Sequence, residues 1–138
     1  MADLVQFELV SPERLLLSQQ VEMVVVPGSE GDFGVMAGHS PLIATVRPGV
    51  IAVFEGGRVT NRIFIAGGFA EVNGSRCTVL AEEAVDVSKL DAAAVEQEVR
   101  DLGEDVEDAK DDAERAHTAE RLAVARAKLD AVSKPVYQ

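Results

Sequence analysis

The sequence predicts a β + α chain in two parts. An all-β sandwich or flattened barrel fills residues 1–85, and an antiparallel two-helix hairpin fills residues 86–138. Three observations carry this. Short β-prone runs recur at intervals of roughly eight to twelve residues with turn residues between them, the pattern of an all-β domain. At about residue 86 the composition changes: residues 87–132 hold one glycine, Gly103, and no proline, and they are rich in Ala, Glu, Lys and Arg, good helix formers. All five phenylalanines fall before residue 70, so the two parts are packed differently.

Residues 3–10 alternate with period two. Phe7 and Leu9 share one face, Gln6 and Glu8 the other, as a half-buried strand requires. Ser11-Pro12 ends it, and residues 14–17 and 21–26 read as the second and third strands. The run PGSEGDFGVMAGHSPL at 27–42 follows, with four glycines and two prolines in sixteen residues. It reads as a fixed loop path carrying Glu30, Asp32 and His39, and loops held rigidly by a scaffold are where function tends to sit. A tight hairpin that needs glycine for geometry alone is the plain alternative.

Residues 42–46 and 49–54 are further strands. Glu55-Gly56-Gly57-Arg58 is a hairpin turn with glycine at positive φ, and 59–65 pairs back. Gly67-Gly68 turns again, 69–72 is a strand, Asn73-Gly74 is a strong short hairpin signal, and 76–84 closes the set. In the helical part, Ser88 is placed to cap the first helix, with Asp91 favourable near its N-terminus. Val95, Val99, Leu102 and Val106 form one thin apolar stripe; Ala113, Ala116, Leu122, Ala125, Leu129 and Val132 form a second. The polar stretch 107–112 is the turn, and Pro135 ends the second helix. Seams this narrow bury little area, so the hairpin is expected to be marginal alone and free to open or to lie against a partner.

Charge is uneven. The net charge is −11 in all, which argues against nucleic acid and against adsorption to anionic lipid. Residues 86–112 hold eleven acidic and three basic side chains; 113–134 hold three acidic and five basic. The plain reading is two solvated faces that attract each other. The functional reading is a basic last helix able to move to another acidic surface.

Chemistry of several kinds is missing. The loop at 28–38 lacks the lysine and following helix of a phosphate cradle, and there is no nucleophile elbow. His39 and His117 stand too far apart for ligand spacing, so no metal is expected. Cys77, the single cysteine, reads as a small buried hydrophobe. No apolar run approaches the roughly 18–20 residues of a membrane span, and no signal or transit pattern precedes the first strand, so direct membrane insertion is not expected. The protein is expected not to be an enzyme. A free-standing β-sandwich protein-binding module with a helical tail and a structural or regulatory subunit of a larger machine both remain open on residue chemistry.

The run at 27–42, the following Pro48-Gly49-Val50, then Gly67-Gly68-Phe69-Ala70-Glu71-Val72 and Val79-Leu80-Ala81-Glu82, resembles the epsilon subunit of bacterial F-type ATP synthases, over about residues 5–132. The resemblance implies a ten-stranded N-terminal β-sandwich and a C-terminal helical hairpin. It implies a non-catalytic subunit of the central rotor stalk that couples proton flow to ATP synthesis, held peripherally on the cytoplasmic face of the bacterial inner membrane. Its β-sandwich domain would bind the gamma subunit and the c-ring. Residue by residue, Glu30, Gly31 and Asp32 match the loop that meets the c-ring, with Gly34 in the same loop, and His39 and Ser40 the part that faces gamma. In many relatives the hairpin reaches the catalytic alpha and beta subunits and inhibits hydrolysis; Arg115, Arg121, Arg126 and Lys128 would make those contacts here. Some relatives bind ATP through Ile/Leu-Asp-x-x-Arg-Ala. Leu90 and Asp91 are present, but Ala94 and Val95 replace the last two positions, so the phosphate-binding cation is missing and no cofactor is expected.

Overall fold

The computed structural model describes residues 3–135 and 137. Met1, Ala2, Val136 and Gln138, at the outer ends of the two expected segments, lie outside the described residues. Alternation builds the first strand as read: β1 (Val5–Val10) turns Val5, Phe7 and Leu9 inward. β2 (Leu15–Val21) runs four residues past the expected end at 17, because Ser18, Gln19 and Gln20 keep pairing antiparallel with β1 and Gln6 bonds Ser18 across the pair. β3 (Met23–Gly28) follows a bend at Glu22 and continues through Pro27.

The glycine-rich run is not all loop. It contains β4 (Gly31–Val35), which folds back on β3 as a hairpin with Ser29 and Glu30 at its tip. β5 (Leu42–Val46), β6 (Gly49–Glu55), β7 (Arg58–Ile65) and β8 (Gly68–Val72) lie where the turn residues place them. Gly56 and Gly57 both take positive φ between β6 and β7. The Asn73-Gly74 hairpin forms by a different device: the Asn73 carboxamide oxygen accepts from the amides of Ser75 and Arg76, an Asx-type turn. β9 (Arg76–Ala81) stops earlier than expected, at Glu82-Glu83. The backbone then crosses over as β10 (Ala84–Asp86) and pairs with β7 instead.

Ten strands thus make one hydrogen-bonded path, β10-β7-β6-β3-β5-β8-β9-β1-β2, with β4 on β3. A single pair, Gly28↔Val46, joins the halves. So the path folds into two five-stranded layers, β10-β7-β6-β3-β4 and β5-β8-β9-β1-β2, and a sandwich rather than a barrel results. Val24, Val26, Val35, Ile51, Val53, Ile63 and Ile65 from one layer meet Phe7, Leu9, Val46, Val72 and Val79 from the other. Every pairing is antiparallel except β1 with β9. Gly68 sits where a Cβ would collide with the Leu80 carbonyl oxygen, so this end of β8 admits no side chain.

After β10 a short 3-10 helix, Val87–Lys89, is capped by the Asp86 carboxylate, which takes the Ser88 amide and hydroxyl. Ser88 therefore does not cap the first helix. Leu90 is extended, and Asp91 caps α1 (Ala92–Glu107) by accepting from the Ala93 and Ala94 amides. Asp111 caps α2 (Asp112–Ser133). Leu102, Leu122 and Ala125 form the helix–helix core, flanked by Val99 and Val106. The second stripe begins later than expected: Ala113 and Ala116 are exposed, and Thr118 and Ala131 are buried in their place. The helices lie on the outside of the β6–β7 layer. Val25, Ala52 and Phe64 have the opposite parity to the sandwich core yet are buried, and α2 packs on β6 there.

Candidate functional site

The hairpin of β3 and β4 carries the first candidate site. Glu30 and Gly31 are exposed at its tip, and Asp32 is the second residue of β4. Arg47, arriving with β5's end, pins this tip: its Nη1 donates to the Gly28 carbonyl at 2.6 Å and its Nη2 to Asp32 Oδ1 at 2.6 Å. A further partner comes from the far end of the sequence. The Tyr137 hydroxyl donates to Asp32 Oδ2 at 2.7 Å, Arg62 Nη2 donates to the Tyr137 carbonyl at 3.0 Å, and the Tyr137 ring meets Phe54 edge-on at 5.9 Å.

These bonds set the charge at the site. Burial would raise the Asp32 carboxyl, but the Tyr137 and Arg47 hydrogen bonds and the guanidinium charge outweigh it and hold it below its ordinary 3.8. The bond to Asp32 raises the Tyr137 phenol above its ordinary 10.0, with burial and the Asp32 charge adding to it. The signs follow. What Asp32 ionisation contributes is present above pH 3.8 and lost as pH falls through its lowered value; what the neutral phenol contributes is present below pH 10.0 and lost as pH rises through its raised value.

His39 and Ser40 are not brought to Asp32. β4 separates them, so they lie toward the opposite end of the layer. His39 sits in a turn closed by its amide on the Met36 carbonyl, and its Nδ1–H donates to the Ser40 carbonyl at 2.7 Å. Gly38 ties this turn to the β8–β9 connection through Gly74. The turn leads straight into β5, whose Ile43 is 77% exposed. On the same face Ile43 stands opposite exposed Glu71, itself opposite Thr78, and the next row is apolar: Phe69 on β8 stands opposite Leu80 on β9, which stands opposite Val10 on β1. Phe69 and Leu80 are 58% and 43% exposed. This is the outer face of the layer that the helices leave bare.

The four basic residues of α2 do not act as one surface. At about 100° per residue, Arg115 and Arg126 share one face, and Arg121 and Lys128 share another about 140° away. Arg115 is held at the interhelical turn by Asp112 and the Ala109 carbonyl. Lys128 bridges Glu83 at 3.0 Å and lies over the Phe64 ring, and Arg121 lines the same groove with Glu82 and Glu98. Arg126 is exposed. Asp91 spends its carboxylate on the α1 cap, and Ala94 beside it is exposed.

Among the described residues no three His, Cys, Asp or Glu side chains cluster as a metal site. Burial pushes the Cys77 thiol up to about 12, so it is neutral and inert at pH 7. The loop around Asp32 is visible in sequence through its glycines. Arg47 and Tyr137 are not, because they come from 15 and 105 residues away and no local spacing marks them.

Residues 4–87 match the family described as "ATP synthase, Delta/Epsilon chain, beta-sandwich domain", and residues 91–136 match the family of C-terminal domains of the ATP synthase epsilon chain. The protein is 56% identical over 138 residues to the ATP synthase epsilon chain of Rhodospirillum centenum, covering 96% of this sequence and 94% of that one. It is 54% identical over 131 residues to that of Rhodospirillum rubrum, covering 95% and 98%. Among solved structures, a subunit of the Euglena gracilis mitochondrial ATP synthase (OSCP/F1/c-ring) superposes with a TM-score of 0.79 at 24% identity, covering 90% of this protein and 78% of that one. A subunit of the Tetrahymena thermophila mitochondrial ATP synthase central stalk and c-ring superposes with a TM-score of 0.63 at 12% identity, covering 94% and 96%. These two likenesses speak to the fold.

Proposed function

This protein belongs to the ATP synthase epsilon-chain family and is a rotor-stalk subunit of that enzyme, and from that premise we propose that it is non-catalytic and couples the c-ring to the gamma subunit through opposite parts of its sandwich. The observation that carries this reading is the bare apolar face. Ile43, Phe69 and Leu80 stand exposed together on one layer, continuous with the His39–Ser40 turn, and an apolar face of this kind is a protein-docking surface. Gamma is its proposed occupant, with His39 and Ser40 at the rim. The c-ring is the proposed partner of Glu30, Gly31 and Asp32, which stand at the other end of β4 on an exposed acidic tip. The sandwich, ending near residue 86, is the anchor, and the hairpin beyond it is the regulatory element. Among the described residues no helix is long and apolar enough to cross a membrane. The proposed attachment is peripheral, through partners, on the cytoplasmic face of the bacterial inner membrane.

Inhibition of hydrolysis by the hairpin needs Arg121 and Lys128 to leave the Glu82–Glu83 groove, since the docked hairpin occupies them there. Arg115 and Arg126 point elsewhere and would meet the alpha and beta subunits first. The test uses the alpha–beta–gamma complex with the native protein, with Phe69→Glu, and with a form ended after Lys89. Phe69→Glu is expected to abolish binding to gamma, while the shortened form still binds. Hydrolysis that is slowed by the native protein and not by the shortened one makes the helices a brake. Native-strength binding by Phe69→Glu would overturn the assignment of the apolar face.

A further inference from the structure

We propose that Asp32, Arg47, Arg62 and Phe54 form a receptor for the protein's own Tyr137, and that Tyr137 and an external partner of the β3–β4 tip compete for the same Asp32 carboxylate. Three observations support it. Tyr137 is held by three different groups at once: a carboxylate takes its hydroxyl, a guanidinium takes its carbonyl, and an aromatic edge meets its ring. All three lie on the layer that α2 covers, so the contact closes the hairpin down at its free end, beyond the last helical turn at Ser133. Asp32 has two carboxylate oxygens, and both are engaged: Oδ1 by Arg47 and Oδ2 by Tyr137. Each oxygen keeps a second lone pair, so the competition is for the approach to Oδ2 that the phenol fills: a donor that needs that approach displaces it. Arg47 is anchored a second time at the Gly28 carbonyl, so the phenol is the group that yields.

This inference rests on the reading that the β3–β4 tip meets the c-ring. It adds a consequence that the reading lacks: engaging the tip unlatches the tail, and a latched tail weakens engagement. The helical hairpin is thereby informed of the contact at the tip. Linkage makes the effect reciprocal, so loss of the latch strengthens c-ring binding by the factor by which the c-ring loosens the latch.

The protein has one tyrosine and no tryptophan, so fluorotyrosine incorporated during expression labels the latch alone. Its fluorine NMR signal is read in the isolated full-length protein, in Asp32→Ala, and after adding unlabelled detergent-solubilised c-ring. The expected result is one shifted signal in the native protein that moves to the free-tyrosine position in Asp32→Ala and moves the same way on adding c-ring. Tyr137→Phe keeps the ring and removes only the donor. It should quicken amide exchange in the last turns of α2 about two- to fivefold, the scale of one solvent-exposed charged hydrogen bond. An identical signal in the native protein and Asp32→Ala overturns the latch. A signal that stays put while the c-ring binds overturns the competition. If Asp32→Ala binds the c-ring as tightly as Tyr137→Phe, which loses the latch bond but keeps the carboxylate, the reading of the tip fails and the competition with it, while the signal of the isolated protein still decides whether the latch exists.

Discussion

The sandwich and the hairpin are stabilised in different ways. The sandwich closes on itself: Phe7, Ile51, Ile65 and fourteen other fully or nearly buried side chains from nine of its strands meet in one core. The hairpin has Leu102, Leu122 and Ala125, flanked by two valines. It compensates by lying down, and α2 covers Val25, Ala52 and Phe64 on the sandwich's outer face. The first region carries its own fold. The second borrows a surface, and what is borrowed can be given back at low cost.

Substitutions in the two cores should therefore behave differently. The largest effect is expected at the centre of the sandwich. Phe7→Ala leaves a cavity among fully buried neighbours and should cost about 3–5 kcal/mol, lowering the melting of the whole protein in calorimetry. Leu122→Ala should cost about 2 kcal/mol, at the low end for such a change, because its seam is thin and half-open. Hydrogen exchange would then show α1 and α2 losing protection while β1, β6 and β7 keep theirs. If both substitutions lower one shared transition equally, the hairpin is part of the same cooperative unit and the contrast fails. The smallest effect is expected at a cap. Asp91→Ala frees two amides at the α1 N-terminus and should cost about 1 kcal/mol, seen as faster exchange confined to the first turn.

The same contrast governs what can be read from the sequence. Strands with clean alternation or glycine turns, such as β1, β6 and β7, are legible because their signals are local. β4 is hidden because its glycines, Gly31 and Gly34, look like loop when the partner strand is out of view. β10 is hidden because only its pairing with β7, not its composition, separates it from β9. The helix start is displaced by three residues from its expected cap: Ser88 and Asp91 are both good caps, and the choice turns on the extended backbone of Leu90. In the site, the acidic tip at Asp32 is visible in its loop, whereas its grip by Arg47 and Tyr137 exists only in three dimensions.

The parallel pairing of β1 with β9 has a consequence for how the protein is born. Gln6 finds its partner at Arg76, so the first strand to leave the ribosome waits for one of the last strands of the sandwich. Closing so long a loop is slow, and until it closes the edge of β1 that β9 will cover stays unpaired. The helices are translated after that partner. The nascent subunit can therefore complete the part that anchors it before the part that moves has been made.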